Sequence, residues 1–532
     1  MKHFTVTFQP DGRQVSIHPG ATLLEAAGLA GIVLNTICGE KGTCGKCAVV
    51  LQPAGQTVLA CQYHVTENLT VLVPPDSRFV EHKILTEGAA RKDAAEADIY
   101  KKYLSAVGSH PILGLAVDIG TTTVVVKLID MKTGRLLATC ATLNPQTKFG
   151  DDVISRIGYA GTDAKLKELN ELIVGRLNEL IDDCCRQANA KSNDIYETCV
   201  VGNTTMHHIF LRLLVTQLGE APYKAFSLDA SDSTPADIGL RVNPAGNVHT
   251  VANIAGFVGA DTTAVALATS LDSADQMTLV IDIGTNGEVL LGTKDKLIAA
   301  SCAAGPAFEG ARITCGSRAA DGAIEAVVLD KHNIAIDVIG GGKPVSICGS
   351  GLIDAVAVML DSGVIDFTGR FKFKTSLPSA IAKRITKIKR AHSHPKDEGL
   401  VFVLAYKGHT PAVYLTQQDI REVQLAKSAI RAGIHILQHR LKVADADIKA
   451  IYLAGAFGNY IRRQSALRIG LLPNVPVERI HSVGNAASSG AQLILVSSSF
   501  RALAADLARR IEYVEIANDP FFQSTFADSM LF

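Results

Sequence analysis

Apolar and polar residues alternate at the start of the chain. In "HFTVTFQP" and "RQVSIHPG" every second side chain is apolar, and "DG" lies between the two runs, so the pattern predicts a β-hairpin. "ATLLEAAGLAG" shifts to helical spacing and is closed by Gly31. Three more short runs, "CAVVLQP", "QTVLACQYHV" and "NLTVLVP", return to strand spacing and end near Pro74 and Pro75. A hairpin, a helix and further strands over residues 1–75 make a small β-grasp unit. Residues 76–110 are charged and weakly periodic, and read as a linker with some helical character.

From residue 113 strands and helices take turns, the pattern of an α/β unit. "LGLAVDIGTTTVVVKLID" reads as strand, Gly/Thr turn, strand. "AKLKELNELIVGRLNELIDDCCRQA" is an amphipathic helix, and "IYETCVVGNTTMHHIFL" is strand, loop, helix. A looped stretch around 219–245 suggests a boundary, so the expected division is 111–215 for a first lobe and 216–532 for a second with a C-terminal extension. "MTLVIDIGTNGEVLLGT" then repeats the earlier motif, "AVDIGTTTVVV" against "VIDIGTNGEVL", with Asp118 and Asp282 in register. "ICGSGLIDAVAVML" opens a helix on a glycine turn, "QDIREVQLAKSAIRAGIHILQHRL" is a long helix, and "IKAIYLAGAFGNYI" is a strand running into glycines.

Bulk properties narrow the class. At 532 residues the chain exceeds what one hydrophobic core supports, so several domains are expected. Lys+Arg and Asp+Glu are 52 each, a balance that argues against nucleic-acid or membrane-surface binding. "MKHFTVTFQP" has no apolar stretch of a signal peptide, and no apolar run is long enough to span a bilayer, so the expected location is the cytoplasm. Eleven cysteines are too sparse for a disulfide scaffold, and their clustering points to metal ligation.

That cluster is "CGEKGTCGKC", with Cys38, Cys44 and Cys47 crowded into one loop and Cys61 across the following strand. Structural zinc usually takes two separated Cys-x2-4-Cys pairs, so three thiols in one loop fit zinc poorly. Plant-type [2Fe–2S] ferredoxins use Cys-x4-Cys-x2-Cys with a distant fourth ligand. This loop has one residue more, and Gly39, Gly42 and Gly45 let its backbone wrap closely and aim N–H groups at sulfur. The spacing therefore favours a [2Fe–2S] cluster over zinc.

The two Asp-Ile-Gly-Thr turns offer backbone N–H groups and hydroxyls to phosphate oxygens. Asp118 and Asp282, each at a strand end, are placed to hold Mg²⁺ through water. With "LAGAFG" (Leu453–Gly458) and the small-residue helix start "GNAASSGA" (Gly484–Ala491), they resemble the ASKHA superfamily of actin and the sugar kinases. That resemblance implies a two-lobed fold with ATP between the lobes. It marks Gly120, Thr121, Thr122, Thr123, Asn203, Thr204, Gly284, Thr285, Asn286, Gly287, Gly349, Gly351, Gly455 and Gly458 as candidate nucleotide-site residues, with Asp118 and Asp282 as catalytic candidates.

A narrower resemblance covers nearly the whole chain. "VVGNTTMHH", "IDIGTNGEVLLG", "SCAAGPAFEGARITCG", "ICGSGLIDAV" and "YLAGAFGNYI", with the N-terminal cysteine loop, are similar to the reductive activators of corrinoid proteins. This implies a multidomain α+β and α/β chain, a ferredoxin-like β-grasp domain ahead of the ASKHA fold. Its implied activity is ATP-driven transfer of one electron to an inactive Co(II) corrinoid in a methyl-transfer system. The implied partners are that corrinoid protein and an external low-potential donor, with a homodimer as the expected assembly. Two other readings stay open: activation of a radical dehydratase, and an ASKHA protein without working ATPase.

Other features are discounted. Cys302 and Cys315 resemble the "CAAG" region of dehydratase activators, but a buried turn or a partner-contact thiol is the preferred reading. His207 and His208 are adjacent on a helix and so cannot chelate together. "AHSHP" at 391–395 reads as an exposed turn, and Asp151 and Asp152 as helix capping residues. "DKHNIA" (Asp330–Ala335) begins like a cobalt-binding Asp-x-His-x-x-Gly motif but has Ala335 where glycine is needed.

Overall fold

The computed structural model describes all residues except 1–2, 31, 33, 35–46, 75–76, 78–95, 108–109, 151, 311, 331–332, 373–376, 390–397 and 456–460. Gly31, Cys38, Cys44, Asp151, the "AHSHP" segment and Gly458 therefore lie outside the described residues.

The N-terminal unit is a five-stranded sheet in the order β2-β1-β5-β3-β4. β1 (Phe4–Gln9) and β2 (Arg13–Ile17) form the expected hairpin. β3 (Ala48–Gln52) and β4 (Gln56–Leu59) form a second, and β5 (Leu69–Leu72) runs parallel to β1 between them. Helix α1 (Leu23–Leu29) starts on a capping box, Thr22 Oγ1 accepting from the Glu25 N–H while Glu25 accepts from the Thr22 N–H. Val6, Phe8, Leu23, Val49 and Val71 fill the small core beneath it.

Two six-stranded sheets follow, and they repeat one topology. In the first, β6 (Leu113–Ile119), β7 (Thr123–Asp130) and β8 (Leu136–Leu143) form an antiparallel meander. β9 (Ile195–Gly202) joins parallel to β6 and β11 (Asn247–Thr250) parallel to β9, with β10 (Ser231–Ser233) at the edge. In the second, β12 (Thr278–Ile283), β13 (Gly287–Thr293) and β14 (Lys296–Cys302) form the meander. β21 (Ala450–Ala454) and β22 (Ile480–Gly484) add in parallel on the side of β12. The strands at 231–233 and 247–250 belong to the first sheet, beyond the boundary expected at residue 215. The looped stretch there is a surface excursion that returns to pair β11 with β9, so loss of periodicity did not mark a domain end.

Helices cover the sheets. α2 (Asp163–Ala188) is amphipathic as its pattern predicts: Leu166, Leu169, Ile173, Leu177 and Ile181 are buried on the first sheet. Thr162 caps its start and Asn189, in the left-handed region, ends it. α3 (Thr204–Phe210) follows β9 directly. α4 (Ala260–Ala268) and its counterpart α7 (Ala486–Val496) follow the last parallel strand of each sheet and cross each other between the lobes. Only small residues permit that crossing: a Cβ on Gly490 would lie 2.1 Å from the Ala264 carbonyl oxygen.

The second lobe carries an insertion of two three-stranded sheets. One is β16-β15-β17, from β15 (Ala323–Asp330), β16 (Asn333–Val338) and β17 (Ser346–Ile347). The other is built of β18 (Ile385–Lys389), β19 (Glu398–Lys407) and β20 (Thr410–Thr416). α5 (Gly349–Asp361) lies between them in sequence, and α6 (Gln417–Leu441) leads back to β21. α8 (Ser498–Arg510) and a last helix at Phe522–Ser529 form the C-terminal extension.

The end of the expected linker is anchored. Ile99 and Tyr103 are buried, and the Tyr103 hydroxyl donates to Glu197 (2.5 Å), a fully buried carboxylate on β9. Lys102 and Arg501 pair with the same carboxylate at 2.7 and 3.1 Å. Asp98 caps α8, accepting from the Ser498 N–H at 2.8 Å. The linker thus enters the body of the protein by bridging the first lobe and the C-terminal helix.

Candidate functional site

The two Asp-Ile-Gly-Thr turns face each other across the cleft between the sheets. Gly120 N–H donates to the Thr123 carbonyl (2.9 Å) and Gly284 N–H to the Asn286 carbonyl (3.0 Å), closing each turn. A Cβ on Gly120 would meet the Thr123 oxygen at 2.6 Å, so the first turn requires glycine. The Thr122 and Thr285 hydroxyls are 3.1 Å apart, which brings the turns into direct contact. Thr285 also donates to Glu309 at 2.5 Å. Asn203, the cap of α3, accepts from the Met206 N–H and donates to the Thr121 hydroxyl at 2.9 Å. The cleft these groups line has a volume of about 970 Å³, at the large end of the range for small-molecule sites.

Six carboxylates line it, Glu309 and Glu325 together with Asp118, Asp261, Asp282 and Glu288. The last four are reached by solvent through the cleft yet surrounded by protein. Asp118 is pushed up to about 6 by burial, against the Asn485 side-chain amide, which donates to it at 2.9 Å, and the charge of Lys127. Asp282 and Asp261 are pushed up to about 7, by burial first and then by neighbouring carboxylates. Glu288 is raised for the same reasons. Among the described residues no cation forms an ion pair with Asp261, Asp282 or Glu288. Charges so placed ask for a cation. Yet no group of three His, Cys, Asp or Glu side chains among the described residues closes tightly enough to enclose a metal.

Most of the sequence-expected residues line this cleft: Asp118, Gly120, Thr121, Thr122, Thr123, Asn203, Asp282, Gly284, Thr285, Asn286, Gly349 and Gly455. Gly455 sits at φ +92°, and a Cβ there would come within 2.7 Å of the Asp282 carboxylate. Gly349 opens α5, whose first turn has no side-chain cap, and Cys348, Gly349 and Ser350 line the cleft there. Three expected residues serve packing instead. Thr204 donates to the Ala255 carbonyl at 2.6 Å inside the first lobe. Gly287 passes beneath Ile430, and Gly351 lies against β15, where a Cβ would be 2.3 Å from the Ile324 oxygen. Asp261, Glu288, Glu309 and Asn485 are additions. Asp261 sits in the first turn of α4, and "GADTTAV" carries no phosphate-loop signature that could have marked it.

At the other end of the chain, Cys47 and Cys61 are buried with their sulfurs 3.3 Å apart, and they are not bonded as a disulfide. Two convergent thiols at the end of a β-grasp sheet are a donor pair suited to iron. Cys302, by contrast, is fully buried in the core of the second lobe, with Gly433 pressed against its sulfur. Burial pushes its thiol well up, and it reaches no surface where it could bridge subunits. Cys315 is also raised by burial. The hydrogen bond between His208 Nε2 and the Phe226 and Ser227 N–H groups makes that histidine structural.

Three family models together match almost the whole chain. Residues 4–73 match a 2Fe-2S iron-sulfur cluster binding domain, 113–274 the RACo middle region, and 276–532 the C-terminal ASKHA domain of RACo. The chain is 34% identical to the corrinoid activation enzyme RamQ of Eubacterium limosum, across 98% of this chain and 97% of that protein. The chain belongs to the family of corrinoid reductive activators. A solved structure titled as a reductive activator for corrinoid, iron-sulfur protein aligns with 99% of this chain and 98% of its own at TM-score 0.73 and 31% identity. A [Co(II) methylated amine-specific corrinoid protein] reductase of Methanosarcina barkeri is 25% identical over 75% of this chain. The match to the cluster-binding domain falls on the β-grasp unit, and the match to the ASKHA domain falls on the lobe that carries the second Asp-Ile-Gly-Thr turn. No helix among the described residues is long and apolar enough to cross a membrane.

Proposed function

We propose that this reductive activator uses Mg²⁺ and ATP to drive one electron from a [2Fe–2S] cluster onto the Co(II) corrinoid of a partner protein, restoring Co(I) for methyl transfer. The observation that carries this is the joining, in one chain, of a cysteine pair suited to iron and a cleft of uncompensated carboxylates beneath two phosphate-type turns. Cys38, Cys44, Cys47 and Cys61 hold the cluster, which supplies electrons one at a time. Asp118 and Asp282 hold the waters of Mg²⁺, the Gly120–Thr123 and Gly284–Asn286 turns receive the phosphates, and the start of α5 adds N–H donors.

The energetic need for ATP follows from redox arithmetic. Plant-type clusters sit near about −400 mV. For one electron, a deficit of about 120 mV leaves the acceptor roughly 1% reduced, since each 59 mV is a factor of ten. Lobe closure around ATP shifts that balance only by as much as the two nucleotide states differ in their binding to the Co(II) partner. The electron comes from an external low-potential donor, and the activator works as a homodimer.

The test is optical. Chemically reduced protein mixed with a Co(II) corrinoid protein yields the Co(I) band with Mg-ATP and only a trace without it. Equal Co(I) in both samples contradicts ATP driving. Sedimentation velocity tests the dimer.

A further inference from the structure

The cleft is not walled by the two lobes alone. Thr5, Gln14, Val15, Ser16 and Leu29 of the N-terminal domain line the same cavity as Asp118 and Asp282. β2 is the outer strand of its sheet and lies against the turn at Ile339–Gly341 that follows β16. Ser16 Oγ is 3.6 Å from where a Cβ on Gly341 would stand, an ordinary contact. Beside it His3 Nε2 is 3.0 Å from the buried Asp337 carboxylate.

We propose that β2 of the iron–sulfur domain is a wall of the nucleotide site, so that bound nucleotide holds this domain against the second lobe. This rests on the cleft taking a nucleotide. With β2 in place the cavity of about 970 Å³ still has room for one. Gln14 and Ser16 are the polar residues β2 presents, and the part-buried His3–Asp337 contact is one hydrogen bond, modest by itself. A ligand that touches both bodies therefore changes their association appreciably. Linkage makes the effect mutual: whatever nucleotide adds to docking, docking adds to nucleotide affinity. Nucleotide state thereby decides whether the cluster domain is held at the cleft or released toward its redox partners.

The experiment is calorimetric titration of the full, cluster-loaded chain with Mg-ADP and with a non-hydrolysable Mg-ATP analogue. His3→Ala removes the docking contact, and Ser16→Arg crowds the wall. Both are expected to weaken binding about five-fold or more, the lower end of site–site coupling, with the cluster's visible absorption unchanged. Hydrogen exchange at residues 13–17 is expected to slow when nucleotide is added to the wild type and to slow less in His3→Ala. Unchanged affinity in both variants, together with nucleotide-independent exchange at 13–17, overturns the proposal. If the wild type binds neither nucleotide, the cleft reading fails as well, an outcome distinct from wild-type binding that the variants leave untouched.

Discussion

Cys61 and Asp282 carry opposite burdens. Cys61 is a buried thiol 3.3 Å from its neighbour Cys47, and replacing it leaves a cluster site with one ligand fewer. Cys61→Ala is expected to abolish the visible absorption and reduced-state EPR signal of the cluster, and with them Co(I) formation. Asp282 is costly to the empty protein. Its carboxyl is pushed up to about 7 from the usual 3.8, so folding favours its protonated form. That contribution is complete below about 4 and fades as pH rises through about 7. The nucleotide-free protein should therefore lose thermal stability between about pH 4 and pH 7, limits set by the usual and the raised value. Asp282→Asn removes the charge. It is expected to raise the melting temperature at alkaline pH by about 2 °C or more, and to abolish Mg²⁺-dependent nucleotide binding. Scanning calorimetry across pH, with and without Mg-ADP, reads both effects. A variant that melts lower than wild type at alkaline pH contradicts this account of the cleft.

Among the elements, α4 and α7 are the pair whose spacing matters most. Gly490 lies where any side chain would strike the Ala264 carbonyl, so Gly490→Val must push the two helices apart. Overpacking of this kind costs about 1–3 kcal/mol, to be read from chemical denaturation, and lower nucleotide affinity should accompany it because the helices join the two lobes. The small-residue run "GNAASSGA" announced this crossing in the sequence, as the repeated Asp-Ile-Gly-Thr turns announced the paired sheets. Such features are legible because a tight turn or a close helix approach admits few residue types. Asp261 was not, because it reaches the cleft from the first turn of a helix whose sequence looks like any buried helix. Glu288 lay inside a recognised motif, but its place among the acids depends on the β13 pairing and not on local sequence. Nor did Thr204 or Gly351 betray that they face inward: a threonine at a helix start and a glycine in a helix look alike whether they meet ligand or backbone.

For the whole molecule, the proposed function makes binding of the partner and delivery of the electron separable tasks. Cys61→Ala is therefore expected to bind the corrinoid protein within about two-fold of wild type by calorimetry, well below the tenfold that 1.4 kcal/mol represents, while producing no Co(I). Loss of binding would mean that the cluster domain forms part of the docking surface. The domain boundary at 215 failed at this scale, because a long surface loop and a true boundary share the same polar composition. Contact between β2 and the cleft was equally hidden, since Gln14 and Ser16 are ordinary residues for an edge strand.

The clamp on Glu197 fixes the point where the chain from the N-terminal domain enters the body of the protein. Tyr103, Lys102 and Arg501 hold that point, and the chain between Ser77 and Glu96 spans at most about 65 Å even when fully drawn out. A carrier confined to such a radius reaches an effective concentration on the order of millimolar at any acceptor within it. On the proposed function, a separate ferredoxin would have to be present at comparable concentration to compete for a cobalt held by a bound partner.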